Sequence, residues 1–165
     1  MMLPTVKESL DACNVTYNEL PGREGNNQII SLNLTGNNTS FRTFLDVKES
    51  EERLIVYIDS PIKISDNKRS KVAEFLMRVN YNLVIGNFEI DFRDGEVRYR
   101  ASVDVEGSHI SKEMVKTLVF VSAATADRFF PGMMAVMYAN KDPLQAYEEI
   151  KANRVVEELP HSTSQ

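Results

Sequence analysis

The segment from Gly86 to Glu106, GNFEIDFRDGEVRYRASVDVE, alternates apolar and charged residues on both sides of an Asp-Gly pair. Asp94-Gly95 predicts a two-residue type I′ hairpin turn, which needs positive φ at both central residues. Pairing outward from this turn predicts three opposite-charge pairs on one face, Arg93–Glu96, Asp91–Arg98 and Glu89–Arg100. The other face is apolar and comprises Phe88, Ile90, Phe92, Val97, Tyr99, Ala101 and Val103. The alternation therefore predicts two antiparallel strands that turn one face towards a core.

A long apolar helix is predicted after the hairpin. Ser111 is its expected N-cap, and from Met114 to Met137 apolar residues fall on nearly every side of the helical wheel. Such a helix is buried on more than one face, so it meets another helix of this chain, a second subunit or a client protein. Pro131-Gly132 predicts a kink or a break within it.

The other elements follow from hydrophobic periodicity. The predicted strands are Gln28–Leu34, Phe41–Lys48 and Arg53–Asp59, the last ending at Ser60-Pro61. The predicted helices are Pro4–Asn14, one that begins near Asp66 as N-cap and buries Val72, Phe75, Leu76 and Val79, and one from Pro143 with Asp142 as cap. The order α-β-β-β-α-β-β-α-α predicts an α+β fold, a five-stranded antiparallel sheet with helices packed on it. We expect one domain over residues 1–159 and a disordered polar tail at 160–165.

Charge and composition restrict the class of protein. A net charge of −5 argues against a general nucleic-acid binder, which would show a basic stripe. The one cysteine, Cys13, cannot form an internal disulfide, which fits a reducing compartment. No apolar run has transmembrane length, and the N-terminal residues have no signal-peptide pattern. We therefore expect a cytoplasmic protein that does not insert into membranes.

Motifs of catalysis and metal binding are missing from the sequence. It has no HxH, HExxH, CxxC, phosphate-loop or GxSxG pattern, and His109 and His161 are expected to be ordinary surface residues. We predict no catalytic residue, no cofactor and no metal. The alternative is a small-ligand or enzymatic site on the polar face of the 86–106 hairpin, where an acid/base pair could form. Its candidate residues are Glu89, Asp91, Asp104 and Glu106. The other interpretation of this face is a solvated, salt-bridged surface, in which Arg98 and Arg100 are the partners of these carboxylates.

The apolar helix itself contains two notable groups. Asp127 and Arg128 are charges in an apolar environment and need partners, which indicates a structural role before a catalytic one. The cluster of Met133, Met134 and Met137 has two interpretations, because Met serves both as core filler and on adaptable binding surfaces.

The hairpin IGNFEIDFRDGEVRYRASVDVEG together with the later ATADRFFPGMMAVMY resembles the YbjN-like proteins, especially their cyanobacterial and plastid relatives. The resemblance covers Asp66 to Glu149. It implies the fold of type III secretion chaperones, and a small acidic protein that pairs with itself and binds segments of other proteins. It brings no catalytic residue. The Pro-interrupted, Met-rich last helices depart from true secretion chaperones.

The leading hypothesis is a non-enzymatic protein-interaction or chaperone-like module, with a protein partner and a homodimer as its expected assemblies. The apolar contact is assigned to Phe129, Phe130, Met133, Met134 and Met137. A polar secondary surface is assigned to Arg98, Arg100, Asp104 and Glu106. Replacing Met133 and Met137 by Glu is expected to abolish association with the fold intact, whereas unfolding would show that they are core residues.

Overall fold

The structure, a computed structural model, describes residues 1–22 and 27–157, with side chains as far as residue 153. Its helices are α1 (Leu3–Asp11), α2 (Arg69–Asn80), α3 (Lys112–Lys116), α4 (Ser122–Tyr138) and α5 (Pro143–Glu157). Its strands are β1 (Tyr17–Pro21), β2 (Gln28–Thr35), β3 (Ser40–Lys48), β4 (Arg53–Lys63), β5 (Asn87–Ile90) and β6 (Glu96–Asp104). A π-helical turn, Thr117–Val121, joins α3 to α4, and Glu49–Glu51 and Asp66–Lys68 form 3₁₀ turns. The predicted tail at 160–165, with His161, lies outside the described residues.

The strands form one antiparallel sheet in the order β1-β2-β3-β4-β6-β5. Side chains in register across it, such as Leu45, Val56 and Ala101, are buried against the helices. This confirms an α+β fold with an antiparallel sheet, but the predicted number of five strands is wrong. The sixth is β1, whose sequence YNELP has no apolar alternation, because an edge strand needs only backbone pairing with its neighbour.

The end of β4 and the start of α2 also differ from the sequence prediction. β4 does not end at Ser60-Pro61 but continues to Lys63, with an irregular register between Asp59 and Lys63. Such an irregularity accommodates Pro61, which cannot donate to a regular ladder. Asp66 is not an N-cap but belongs to a 3₁₀ turn before α2, which starts at Arg69.

The helix features that depend on residues close together in the sequence are confirmed. The predicted stripe Val72, Phe75, Leu76 and Val79 is buried. Ser111 Oγ accepts a hydrogen bond from Met114 N at 3.1 Å. Asp142 Oδ1 accepts bonds from the backbone nitrogens of the first turn of α5, Leu144 and Gln145, at 3.0 and 3.2 Å. Each is a short-range contact that the sequence specifies directly.

The β5–β6 hairpin has a register two residues away from the predicted one. Glu89 lies opposite Arg98, not Arg100, and Ile90 lies opposite Val97, not Tyr99. Among Asp94 and Gly95, only Gly95 has positive φ, so the turn is not type I′. The chain forms a longer loop instead, closed by a bond from Asp91 N to Glu96 O at 2.8 Å. Because the shift is two residues, each side chain keeps its face.

The displaced register changes the neighbours at the tip of the hairpin. Phe92, predicted to be on the apolar face, is in the loop and 54% exposed. Asp91 pairs with Arg93 at 2.6 Å rather than with Arg98. Glu96 lies 3.9 Å from Lys63 of β4, in place of the predicted pair with Arg93.

We predict that Gly95→Ala destabilises the fold strongly, because two penalties combine. Gly95 has φ +78°, and a Cβ there would lie 2.0 Å from the carbonyl oxygen of Ile64. Gly107 is a matched control, since its φ is +71° but no atom lies within 4 Å of an added Cβ. Gly107→Ala should cost about 1 kcal/mol from backbone strain, and Gly95→Ala at least about 2 kcal/mol more. Urea denaturation of both variants measures this, and equal losses would contradict the steric argument.

The outer edge of the sheet at β5 is closed by a side chain of α2. Asn80 Oδ1 accepts a hydrogen bond from Phe88 N at 2.8 Å, and Asn80 Nδ2 donates to Phe88 O at 3.0 Å. The amide therefore imitates a neighbouring strand at this residue. At the other end of the sheet, β1 has β2 as its single neighbour among the described strands.

Of the kink or break predicted at Pro131-Gly132, the break is wrong, because helix α4 is continuous through Pro131. Proline has no N–H for the carbonyl four residues earlier, which here belongs to Asp127. Asn38 Nδ2 donates to that carbonyl at 3.1 Å. The missing helical hydrogen bond is thus replaced from the β2–β3 turn. Within residues 1–22 and 27–157, no helix combines the length and apolarity needed to cross a bilayer.

Candidate functional site

A concavity of about 660 Å³ lies between the β2–β3 turn and helices α4 and α5. We call it the α4 groove. Its apolar lining comprises Leu34, Phe41, Phe120, Ala124, Pro131 and Ile150. Its volume lies in the range of known ligand and peptide sites.

The β2–β3 turn forms one wall of the α4 groove, and Asp127 fastens it to the helix. Asp127 Oδ1 accepts hydrogen bonds from Asn38 N at 2.9 Å and Thr39 N at 3.1 Å. Its Oδ2 accepts from Asn37 N at 2.9 Å and Asn38 Nδ2 at 3.1 Å. Asp127 is 6% exposed. A charge in an apolar helix needs partners, and the backbone and side-chain donors of the turn are the partners of Asp127. Its environment is therefore a structural one.

Gly36 allows the turn to approach the helix this closely. A Cβ at Gly36 would lie 2.3 Å from Asp127 Cγ, so any larger residue would push the turn away. Together with the bond from Asn38 to the Asp127 carbonyl, this makes the wall rigid. A preformed wall lowers the ordering cost of binding.

Arg128, the next residue, lies at the α4 groove and brings a positive charge to it. Its guanidinium carbon lies 5.0 Å from the ring centroid of Phe129, a cation–π contact. It forms no ion pair within the described part of the chain. The groove thus combines an apolar lining with a cation that forms no ion pair with a described residue.

Of the five residues assigned to an apolar contact, two are buried and three are half-buried. Phe129 and Met133 belong to the core, with 7% and 3% exposure. Phe130, Met134 and Met137 are half-buried and pack against the core. None of the five lines the α4 groove. The excess apolarity of α4 is used within this chain, against α2, α5 and the sheet.

The predicted polar surface is a network of ion pairs. Glu89 bridges Arg98 at 2.7 Å and Arg100 at 3.2 Å. Burial alone would raise the pKa of Glu89, but hydrogen bonds and charges from the two arginines hold that pKa below its ordinary value. Asp104 pairs with Arg53 at 2.9 Å, and its pKa is lowered by the backbone N–H of Glu106 and by Arg53.

The same surface lacks the geometry of acid/base catalysis. Glu89 and Asp104 are engaged as anions by arginines, and a general acid needs a raised pKa instead. Glu106 is exposed. His109 lies elsewhere, in a concavity with Met2 and Glu49, so it does not join the hairpin carboxylates. Among the described residues no group of three or more His, Cys, Asp or Glu side chains could hold a metal ion.

The sequence did not indicate the α4 groove. Asn37 and Asn38 predict only a turn, and they are about ninety residues from Asp127 in the chain. The one available signal was a pair of charges, Asp127 and Arg128, in an otherwise apolar helix. It identified the helix position but not the turn that binds it.

Fold and site together define a small α+β domain with a groove beside α4 and, in the described residues, no assembled catalytic group. The chain belongs to the YbjN family, described as "Putative bacterial sensory transduction regulator", which matches residues 5–134. Its fold is similar to that of the crystal structure of YbjN, "a putative transcription regulator from E. coli". The similarity has a TM-score of 0.57 and 15% sequence identity, over 85% of this chain and 92% of that chain. Comparison with curated proteins gave no match.

The family match confirms the resemblance that was based on the hairpin and α4 motifs. It begins earlier than those motifs, at residue 5, and therefore includes α1 and the first strands. At 15% identity the structural similarity concerns the fold alone. The cyanobacterial branch and the secretion-chaperone fold stay predictions.

Proposed function

We propose that this chain is a non-enzymatic regulatory module that binds a segment of a partner protein in the α4 groove. The segment places an apolar side chain on Phe120 and Pro131 and a carboxylate beside Arg128. The observation that carries the proposal is the position of Arg128, a cation without an ionic partner in the described residues, next to an apolar groove. The family's description as a regulator supports a binding role over an enzymatic one.

The geometry of the groove favours a peptide segment. Its far wall is fixed by the bonds to Asp127 described above, so little order has to be created on binding. Apolar anchors give affinity, and a charge-assisted bond to Arg128 selects an acidic neighbour. This retains the idea of a chaperone-like module that acts through its C-terminal helices. We assign the contact to exposed residues of α4, such as Ala124 and Pro131. They replace Phe129 and Met133, which were assigned from sequence and are buried.

Selection of binders from a random peptide library displayed on phage tests this function. We expect enriched peptides with an Asp or Glu next to a bulky apolar residue, because both features match the groove. Calorimetry should then show that Arg128→Glu weakens the best peptide at least about tenfold, by repulsion in place of attraction. Ala124→Arg, an exposed substitution in a helix, should block the groove without unfolding the chain.

Tyr138→Arg is the matched control, since Tyr138 is on the same helix, is 68% exposed and does not line the groove. It should bind the peptide as the unaltered chain does. Peptides that bind all three variants equally would show that the α4 groove is not the binding site. Enriched peptides without an acidic residue would contradict the role of Arg128.

The small-ligand alternative on the hairpin face is not the function we propose, because its carboxylates are already engaged by arginines. The homodimer and the cytoplasmic location stay predictions. A homodimer would be tested by sedimentation equilibrium, independently of the peptide experiment.

A further inference from the structure

The sheet face opposite the helices has an apolar centre. Leu20 pairs with Ile29 across β1 and β2, and Phe44 pairs with Tyr57 across β3 and β4, with Ile55 beside them. These side chains line a concavity of about 540 Å³, which we call the outer face. All of its lining residues belong to the sheet except Asn27, at the start of β2.

Such a face is unusual for a sheet with helices on one side. A solvated face normally carries polar side chains alternating with the buried ones. Here Leu20 is 42% exposed, Phe44 and Tyr57 are half-buried, and Ile55 is 6% exposed. No helix of the described residues lines this concavity. Apolar surface of this kind is a common mark of an interaction site.

The charges at one end of the outer face are not balanced. Asp59 is half-buried, and its carboxylate forms neither a hydrogen bond nor an ion pair within the described residues, although Arg42 and Arg98 lie opposite it on the two flanking strands. Burial, and then the negative charge of Glu96, raise the pKa of Asp59 above its ordinary value, although Arg42 and Arg98 act against this. Glu96, which also lines the concavity, has only Lys63 at 3.9 Å.

The neighbouring arginines make contacts with other groups. Arg42 lies over the ring of Phe44, with 5.6 Å to the centroid. Arg98 lies over the ring of Tyr57 at 4.6 Å and binds Glu89 at 2.7 Å. The end of the outer face near Asp59 therefore favours an added positive charge.

The opposite end of the outer face has an acceptor. Asn27 is 6% exposed, and its Oδ1 accepts no hydrogen bond from the described residues. By strand register, Asn27 adjoins the end of β3 at Lys48, while Asp59 lies opposite Arg42 near its start. Five to six residues of β3 separate the two, which is about 16–20 Å of extended chain. A peptide of about five extended residues spans this distance.

We propose that the outer face binds an extended segment of a partner protein, with apolar side chains over Phe44 and Tyr57 and a Lys or Arg beside Asp59 and Glu96. In an extended segment alternate residues face the sheet, so the recognised pattern is apolar-x-apolar-x-basic in either chain direction. This site is independent of the α4 groove and has the opposite charge preference. A chain with both sites would hold two different segments on its two sides.

Titration of the isotope-labelled chain with short capped peptides, followed by backbone amide NMR shifts, tests this proposal. The probes are Leu-Thr-Leu-Thr-Arg and its reverse, a matched peptide with Glu for Arg, and one with Ser for both Leu. We expect the basic, apolar peptide to shift the amides around Phe44, Ile55 and Tyr57. The Glu and the Ser peptides should each bind at least about tenfold more weakly.

Asp59→Asn separates recognition from folding, because it removes a half-buried charge and keeps the shape of the side chain. It should weaken the basic peptide about tenfold. Asp104→Asn is the matched control on the same sheet face, since Asp104 is paired with Arg53 and does not line the concavity. It should leave the affinity unchanged. The spectrum without peptide verifies the fold of both variants.

Four results would overturn the proposal. They are equal affinity for the Arg and Glu peptides, unchanged affinity in Asp59→Asn, shifts confined to the α4 groove, and no shift up to millimolar peptide. Outer-face shifts that depend on protein concentration alone would instead assign the face to a second copy of this chain.

Discussion

Replacing Asp127 by Ala should lower the free energy of unfolding by about 3 kcal/mol or more. The carboxylate accepts four hydrogen bonds, three of them from backbone N–H groups of the β2–β3 turn. Bonds to a charged acceptor are worth more than neutral ones, and the backbone donors would be left beside a cavity. Equilibrium urea denaturation followed by circular dichroism measures the loss.

Two further variants show whether the hydrogen bonds are the cause. Asp127→Asn keeps the volume but puts an NH₂ group against backbone donors, so we expect a smaller but clear loss, about 1–3 kcal/mol. Asp66→Ala removes an aspartate that is 91% exposed and should change stability little. If Asp127→Ala were as stable as Asp66→Ala, the turn would be held by packing alone, and the rigid wall of the α4 groove would lose its explanation.

Met133→Glu should leave the chain largely unfolded. Met133 is 3% exposed in the core formed by α4, α2 and the sheet, and an ionised carboxylate there would have no partner. The expected loss is about 4 kcal/mol or more, which is a large part of the stability of a domain this size. Circular dichroism and size-exclusion chromatography would show the unfolding directly.

Met137→Glu is the informative companion, because Met137 is half-buried and its side chain can turn towards solvent. It should cost less than Met133→Glu, and Tyr138→Glu, at a 68% exposed position, should cost almost nothing. The sequence alone led us to expect that replacing Met133 and Met137 by Glu abolishes association and keeps the fold. The structure instead predicts a loss of stability that decreases from Met133→Glu to Met137→Glu to Tyr138→Glu. A folded Met133→Glu variant with altered self-association would reverse the conclusion and return this part of α4 to a binding surface.

Local signals in the sequence predicted much of the secondary structure. The caps at Ser111 and Asp142 and the buried stripe of α2 depend on residues within one or two turns of each other, so the chain itself specifies them. The alternation in β6 assigned the correct face to Val97 and Tyr99. A face depends only on the two-residue period, which survived the error in register.

Features set by distant residues were not predicted. The turn type at Asp94-Gly95 depends on the contact between Gly95 and Ile64 from the end of β4. The continuity of α4 depends on Asn38, which supplies the bond that Pro131 cannot. β1 has no pattern of its own and is ordered by pairing with β2. Each of these is a property of the folded arrangement, and a single sequence contains no local signal for it.

The candidate sites show the same difference between what nearby residues and what distant residues determine. Composition correctly identified an excess of apolar residues in α4 but could not distinguish a surface from an interior. The helix turned out to be enclosed by α2 and α5, and its exposed side forms a groove with a turn far away in the chain. The outer face arises from Phe44, Ile55 and Tyr57, whose strands also supply core residues. Ile55 and Tyr57 belong to the near-continuous apolar run RLIVYID, in which no alternation distinguishes the outward side chains.

The amide of Asn80 at β5 has a consequence for how copies of this protein can join. Bare sheet edges invite further strands, and two bare edges permit endless stacking into fibres. Here Asn80 occupies the backbone of Phe88 at one edge, and β1 is the edge that no described residue covers. If two molecules joined through their β1 strands, the exposed edges of the pair would be the two β5 strands, where Asn80 already bonds to Phe88. A third molecule would then have no bare edge to pair with. Strand addition at β1 would therefore favour a closed pair of molecules over a growing stack.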